Sequence, residues 1–329
     1  MNSGSPTINL PNNGQSANGG GSIQTPRVVP LTCHGHSRPV THLSFSDMLP
    51  DDEYYLISAC KDGNPMIRDG ITGDWIGTFL GHKGAVWQAR LSNDANLAAT
   101  ASADFSAKVW DTFTGECLQT LVHNHIVRTV TFAPNPTHIA TGGPEKKLRV
   151  YDLAHSDTPM EIGTNVHTGT IKSLVWSDKN TIVSGSDDKK LRWWDIRSRE
   201  LVSQFDMGEV VTSCELSPER TLISATAGKS AYFFDTQSMS LIKSITTEYE
   251  LSCVALHQQT RKMIAGTSQD TWVRVYDYDT QAELEVYKGH HGSVWSVGFS
   301  PDGKLYATGS EDGTIKLWKY TNQPYGLWK

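Results

Sequence analysis

The chain has 329 residues, with 29 Lys and Arg against 35 Asp and Glu, a formal charge of −6 and 38% hydrophobic residues. That balance argues against an overall electrostatic pull toward nucleic acid, leaving RNA contact only indirect or weak, and no window approaches the roughly 18 apolar residues a membrane-spanning helix needs, so no membrane insertion is expected. Cys33, Cys60, Cys117, Cys214 and Cys253 are odd in number and never spaced CxxC, which disfavours an oxidised framework or a zinc site and points to a reduced, intracellular protein.

The first 26 residues carry no charged side chain, and Asn12–Ser22 is almost wholly Asn, Gly, Ser, Gln and Ala. Such a stretch has too little apolar surface to offset its ordering entropy, so residues 1–26 read as a low-complexity, disordered tail. Folded structure is expected over 27–320, with 321–329 as a short C-terminal segment.

From there the sequence repeats itself. Seven segments close on Arg68, Trp110, Tyr151, Trp194, Phe234, Tyr276 and Trp318, at intervals of 42, 41, 43, 40, 42 and 42 residues. Six residues before each closing position stand Asp62, Asp104, Glu145, Asp188, Gly228, Asp270 and Asp312. A Gly-His pair lies upstream in units one, two and seven (Gly35-His36, Gly81-His82, Gly289-His290), while units three and four keep His125 and His167. Each unit contains β-rich runs broken by turn residues, such as VWSVGFS, Pro301–Lys304, LYATGS, Glu311–Gly313 and TIKLWKY. Continuous helical periodicity is absent.

This pattern resembles the WD40 family, whose repeat of about 40–45 residues builds one four-stranded propeller blade. The expected fold is all-β, a seven-bladed WD40 β-propeller. Independently of the family, one face of the strands, bearing Phe45, Leu91, Phe132, Trp176, Leu216, Leu256 and Phe299, has to pack between neighbouring blades. An open ring would leave edges prone to aggregation, so Arg27–Cys33 is expected to pair beside Thr314–Tyr320 and close the last blade.

The recurring His, Ser or Thr, and Asp superficially suggest a hydrolase triad. The WD40 resemblance instead implies structural hydrogen-bond sets: His82, Thr100, Asp104 and Trp110; His167, Ser184, Asp188 and Trp194; His290, Thr308, Asp312 and Trp318. A catalyst needs one activated site, whereas these recur around the ring, so no enzymatic activity, catalytic residue, cofactor or metal is expected. Blades five and six, with Gly228 for Asp and no matching His, should rely more on packing, and Arg68 is irregular in place of an aromatic closing residue. GxxxxGK at Gly298–Lys304 is followed by Leu305 in a strand-to-strand turn and does not read as a phosphate loop. His34-x-His36 and His123-x-His125 lack the further ligands of a convincing metal site.

Partner-binding candidates come from phase. Thr41, Trp87, Arg128, Lys172, Thr212, Ser252 and Trp295 occupy equivalent places early in the first strand of each unit, and the resemblance implies that this register borders the central opening. Lys61, Asp187, Gln269 and Glu311 precede the structural Asp on the same implied rim. The rim candidates are therefore Lys61, Trp87, Arg128, Lys172, Asp187, Trp295 and Glu311; Trp87 and Trp295 either carry interface energy or simply pack between blades. Lys146, Lys147, Arg149, Lys189, Lys190, Arg192, Arg197 and Arg199 form a second, basic candidate, interrupted by Asp187, Asp188 and Asp195.

Longer blocks, LTCHGHSRPV at 31–40, LISACKDGNPMIRDGITGDWIGTFLGHKGAVW at 56–87, ASADFSAKVWD at 101–111 and the closing YGLWK, are similar to one WD40 subfamily, the serine/threonine kinase receptor-associated scaffolds. That resemblance implies a non-enzymatic, cytoplasmic and nuclear adaptor. It would act as a subunit of the survival-of-motor-neuron complex that assists Sm-protein and small nuclear ribonucleoprotein assembly, hence mRNA splicing. Gemin-type Sm-like subunits are the implied partners, the chain being a monomeric propeller within a larger complex, with roles in receptor-kinase signalling and translation. Two alternatives stand beside it: the WD40 subunit of translation initiation factor three, and a substrate receptor of a cullin-type ubiquitin ligase, suggested by the Trp194-Asp195-Ile196-Arg197 box.

Overall fold

A computed structural model describes residues 29–328, so the expected tail at 1–26 lies outside the described residues. Seven four-stranded antiparallel sheets make up the chain, and Pro50–Asp52 is the one helical turn among the described residues. Blade one runs Val40–Phe45, Tyr55–Cys60, Met66–Asp69 and Trp75–Thr78 from the inner to the outer edge. Blades two to six follow with inner strands Val86–Leu91, Thr129–Phe132, Ile171–Trp176, Val211–Leu216 and Leu251–His257. Their outer strands are Cys117–Val122, His155–Ile162, Glu200–Asp206, Leu241–Thr246 and Glu283–Lys288.

Blade seven is built from both ends of the chain. Val294–Phe299, Leu305–Ser310 and Ile315–Lys319 are completed by Leu31–Cys33, with Leu31 opposite Leu317, Thr32 opposite Lys316 and Cys33 opposite Ile315. The closing strand is shorter than the expected Arg27–Cys33. Pro30 has no N–H to give to a ladder and precedes the first paired residue. The last segment adds a second clasp: Trp328 Nε1 donates to the Val29 carbonyl at 3.1 Å, and the Tyr325 hydroxyl lies 3.0 Å from that of Tyr54.

Seven apolar clusters hold the ring, each straddling two neighbouring blades. Between blades one and two, Ile57, Ala59, Ile67 and Phe79 meet Val86, Ala89, Leu91, Ala98 and Trp110. At the joint, Cys33, Ala307, Ile315 and Leu317 pack on Val40, Leu43 and Leu56. The run of small residues along strands such as Leu97–Ser102 (Leu-Ala-Ala-Thr-Ala-Ser) lets adjacent sheets approach closely on both faces.

A polar contact crosses the central channel. Glu215, on the inner strand of blade five, places Oε1 3.1 Å from His42 Nε2 of blade one and Oε2 2.7 Å from Arg90 Nη2 of blade two. Gln88 Nε2 lies 3.3 Å from the same His42 nitrogen, while its Oε1 accepts from the Val130 N–H of blade three at 2.8 Å. Burial pushes the Glu215 carboxyl up, but the Arg90 charge and the His42 hydrogen bond outweigh it and hold it at about 2. Blade five, which has no polar set of its own, is tied here to the opposite side of the ring. Below this contact the channel opens into a cavity of about 320 Å³ edged by Phe45, Leu91, Phe132, Trp176, Leu216, Leu256 and Phe299, so residues expected to pack between blades also line the channel mouth.

Two outcomes follow from these ties. Removal of residues 1–34 strips Ile315–Lys319 of its partner and should convert the monomer to aggregates by light scattering, with a lowered melting temperature. Glu215→Ala leaves Arg90 half-buried without its counter-charge and should cost about 3 kcal/mol in urea unfolding. A carboxyl held below its ordinary value of 4.5 stabilises the fold above that value and loses the contribution as pH falls toward about 2. The gap between wild type and Glu215→Ala should therefore be full at pH 7 and shrink below about pH 4.5.

Candidate functional site

Three blades carry complete polar sets. In blade two His82 Nδ1 is 2.7 Å from Asp104 Oδ2 and Nε2 is 2.7 Å from Thr100 Oγ1, which accepts from Trp110 Nε1 at 2.8 Å. Blade four repeats this with His167, Asp188, Ser184 and Trp194 at 3.0, 2.8 and 2.8 Å. Blade seven does so with His290, Asp312, Thr308 and Trp318 at 3.0, 2.8 and 2.9 Å. Burial pushes all three imidazoles down, His167 to about 4, so each is neutral at pH 7. The Asp104 and Asp312 carboxyls are raised by burial but held at about 2 by the hydrogen bonds they accept. Thr100, Ser184 and Thr308 are fully buried, and each hydroxyl oxygen already accepts from an indole. No substrate can reach them as nucleophiles.

The sequence carries a further signal for these sets, His-x-Gly. A Cβ on Gly84, Gly169 or Gly292 would lie 2.9, 2.5 or 2.9 Å from the backbone nitrogen of Asp104, Asp188 or Asp312, so only glycine lets the loop bearing the histidine meet the aspartate turn. The remaining blades depart in different ways. In blade three the set histidine is His123 rather than the expected His125: its Nε2 lies 2.9 Å from Thr141 Oγ1, whereas His125 is exposed. Glu145 turns to Arg149, at 3.0 and 2.6 Å, instead of to a histidine. Blade six likewise pairs Asp270 with Arg274 at 2.7 Å. In blade one His36 bridges Asp62 and Ser58, and buried Arg68 fills the place of the aromatic residue, donating from Nη1 to the Gly73 carbonyl at 3.1 Å and from Nη2 to the His34 carbonyl.

Metal ligation is a poor fit to the closest donor cluster, His36, Cys60 and Asp62. Both His36 nitrogens are engaged, and burial pushes the Cys60 thiol up to about 12. Five of the eight residues of the basic candidate are compensated as well. Lys147, Arg149, Lys189, Arg192 and Arg197 face Glu161, Glu145, Glu209, Asp188 and Asp195 within 2.6–3.5 Å.

The rim is different, and its geometry has a local cause. Thr41, Trp87, Lys172, Thr212, Ser252 and Trp295 are each the extra residue where the register between first and second strands shifts. Such bulges re-aim a side chain, here out of the sheet at the same end of every blade but the third. Four of the seven rim candidates converge: Lys61 Nζ sits 4.2 Å from the Trp295 ring centroid and 5.5 Å from that of Trp87, whose ring also carries the Arg128 guanidinium at 3.9 Å. Neither cation makes an ion pair among the described residues, and Trp87 Nε1 is buried without a hydrogen-bond partner. Burial pushes Arg128 down to about 10, still charged at pH 7. Lys172 and Asp187 of blade four neutralise each other at 2.6 Å, and Glu311, at the equivalent turn position of blade seven, is exposed.

A family model described as the first β-propeller of IFT122 matches residues 39–319. The human serine-threonine kinase receptor-associated protein is 48% identical over 305 residues, covering 92% of this chain and 86% of that protein. Its Dictyostelium discoideum namesake is 47% identical over 292 residues, covering 88% of this chain and 98% of its own length. The chain belongs to the serine-threonine kinase receptor-associated protein family. It is a WD40 scaffold-type propeller. More distantly, subunit I of eukaryotic translation initiation factor 3 from Culex quinquefasciatus is 28% identical over 319 residues, covering 88% of this chain and 96% of that protein.

Because the sets are structural, His290→Ala should lower stability by about 1–3 kcal/mol, the cost of orphaning buried partners at Asp312 and Thr308. His125→Ala, at an exposed position, should change the melting temperature little. Differential scanning calorimetry of the two variants separates a set histidine from a neighbour in sequence.

Proposed function

We propose that this chain is a non-enzymatic adaptor of the survival-of-motor-neuron complex, cytoplasmic and nuclear, that holds Gemin-type Sm-like subunits while Sm proteins are loaded on small nuclear RNA. The observation that carries the docking reading is the rim cluster of Lys61, Trp87, Arg128 and Trp295, two unpaired cations held on two indoles. Aromatic and arginine side chains dominate interface energetics, and a desolvated cation over an indole is worth about 2 kcal/mol or more. A partner segment carrying a carboxylate would neutralise Lys61 or Arg128 as it covers Trp87 and Trp295. RNA would then be reached through the bound proteins, in keeping with the chain's charge of −6. The likeness to receptor-associated relatives supports a parallel role beside serine-threonine kinase receptors.

The likeness to subunit I of initiation factor 3 favours a second reading, a scaffold in a translation complex. Affinity purification from native cells followed by mass spectrometry decides between them. Gemin-type and Sm proteins should be recovered with the wild type and reduced at least about tenfold with Trp87→Ala/Arg128→Ala, because interface hot spots of this kind cost about 2 kcal/mol or more. Recovery of other initiation-factor subunits instead establishes the second reading. Loss of either set at high salt marks a charge-led contact. An Arg197→Ala variant that keeps its recovery of a ubiquitin-ligase adaptor would dismiss the Trp194–Arg197 box as a docking element; in the structure Arg197 is folded back on Asp195 at 2.9 Å.

A further inference from the structure

We propose that the outer strand of blade two, Cys117–Val122, accepts an added β-strand from a partner protein, a segment in which a carboxylate residue lies two positions from an apolar one. This goes beyond the rim contact but rests on the same reading of the chain as a docking platform. Outer strands present unpaired backbone groups, and proteins ordinarily blunt them with charge or proline. Here Pro159 does so in blade three, Asp206 in blade four, Lys243 in blade five and Glu285 in blade six. Cys117–Val122 has six residues and no charged or proline residue, while the other uncharged outer strands, Trp75–Thr78 and Leu31–Cys33, have only four and three.

The side chains on this edge define what fits. A bulge at Leu118 ends the regular ladder, leaving Gln119–Val122 paired in register with Ser106–Val109. Gln119 and Leu121 turn toward blade three, Gln119 reaching the Leu153 carbonyl at 2.6 Å and Leu121 entering the core. Thr120 and Val122 are exposed, Val122 at 75%, where the same register in blades four and six carries Asp206 and Lys288. Beside them stands an unpaired cation. In blades three, four and six the residue matching Lys108 is an arginine bound to the acid four residues earlier. In blade two Asp104 accepts from His82, Ser106 and the Lys83 N–H, and the shorter Lys108 makes no ion pair among the described residues: its ammonium lies 5.9 Å from the Trp110 ring centroid and reaches outward to Thr120 Oγ1 at 2.8 Å. A strand added about 4.8 Å beyond this edge would set its own side chain opposite Thr120, within reach of that ammonium, and the next on the same face against Val122. Charge complementarity therefore selects Glu or Asp opposite Thr120 and an apolar residue opposite Val122.

The probes are two labelled peptides, acetyl-Ser-Val-Thr-Glu-Thr-Val-Ser-amide and its analogue with Lys for Glu, titrated into the full chain by fluorescence anisotropy. The Glu peptide should bind about tenfold or more tightly than the Lys peptide, and Lys108→Glu should reverse the order. Val122→Lys, at an exposed position, should weaken the Glu peptide at least about tenfold with an unchanged melting temperature. Trp87→Ala/Arg128→Ala should leave both affinities as they are, which separates this edge from the rim. Absence of binding, equal affinity for the two peptides, or insensitivity to Val122→Lys would overturn the proposal. So would a wild-type dimer in sedimentation that Val122→Lys makes monomeric, since a second copy would then occupy the edge.

Discussion

Everything else in the molecule depends on three residues, Leu31–Cys33, meeting Ile315–Lys319 across nearly the whole length of the chain. A four-stranded blade is apolar on both faces, so it is stable only between two neighbours, and a row of such blades always leaves two faces bare unless it closes. Closure by strand pairing also removes the edge that Ile315–Lys319 would present. Because the entropy of closing a loop grows only slowly with its length, the long separation adds little to the cost of the pairing. The clasp formed by Tyr325 and Trp328 at the same joint follows from that demand.

Within the closed ring, rigidity is divided among unlike devices. Blades two, four and seven are held by buried His, Ser or Thr, Asp and Trp sets, and blades three and six by Arg-carboxylate pairs. Blade five has neither and is fixed from across the channel through Glu215. In the three complete sets both histidine ring nitrogens are engaged and the hydroxyls and indoles are buried. Lys61 and Arg128 on the rim, and Lys108 beside an uncharged edge, make no ion pair among the described residues. A scaffold of this kind works by keeping its own hydrogen bonds internal while a few cations and indoles stay available.

The period of the repeat, the blade count and the polar sets were legible in the sequence because each is local: a set needs its residue types at fixed spacing within one unit. The misplacement of the blade-three histidine shows the limit, since His123 and His125 differ by two residues and only the loop geometry, signalled elsewhere by His-x-Gly, distinguishes them. The bulges that turn Trp87 and Trp295 onto the rim were invisible, because a register shift is a property of two strands and not of one. Still less readable were contacts between distant blades. Glu215 and His42 are separated by 173 positions and belong to different units, and nothing in a repeat announces which of seven equivalent channel positions will carry a charge.

Native-state amide hydrogen exchange on the full chain tests ring closure most directly. The ladder-bonded amides of Leu31–Cys33 and of Ile315–Lys319 should exchange as slowly as those of Val294–Phe299 in the same blade, since all three open only with the whole ring. Rapid exchange at Leu31–Cys33 and along Ile315–Lys319, with blades two to six still protected, would contradict a ring held shut by that pairing.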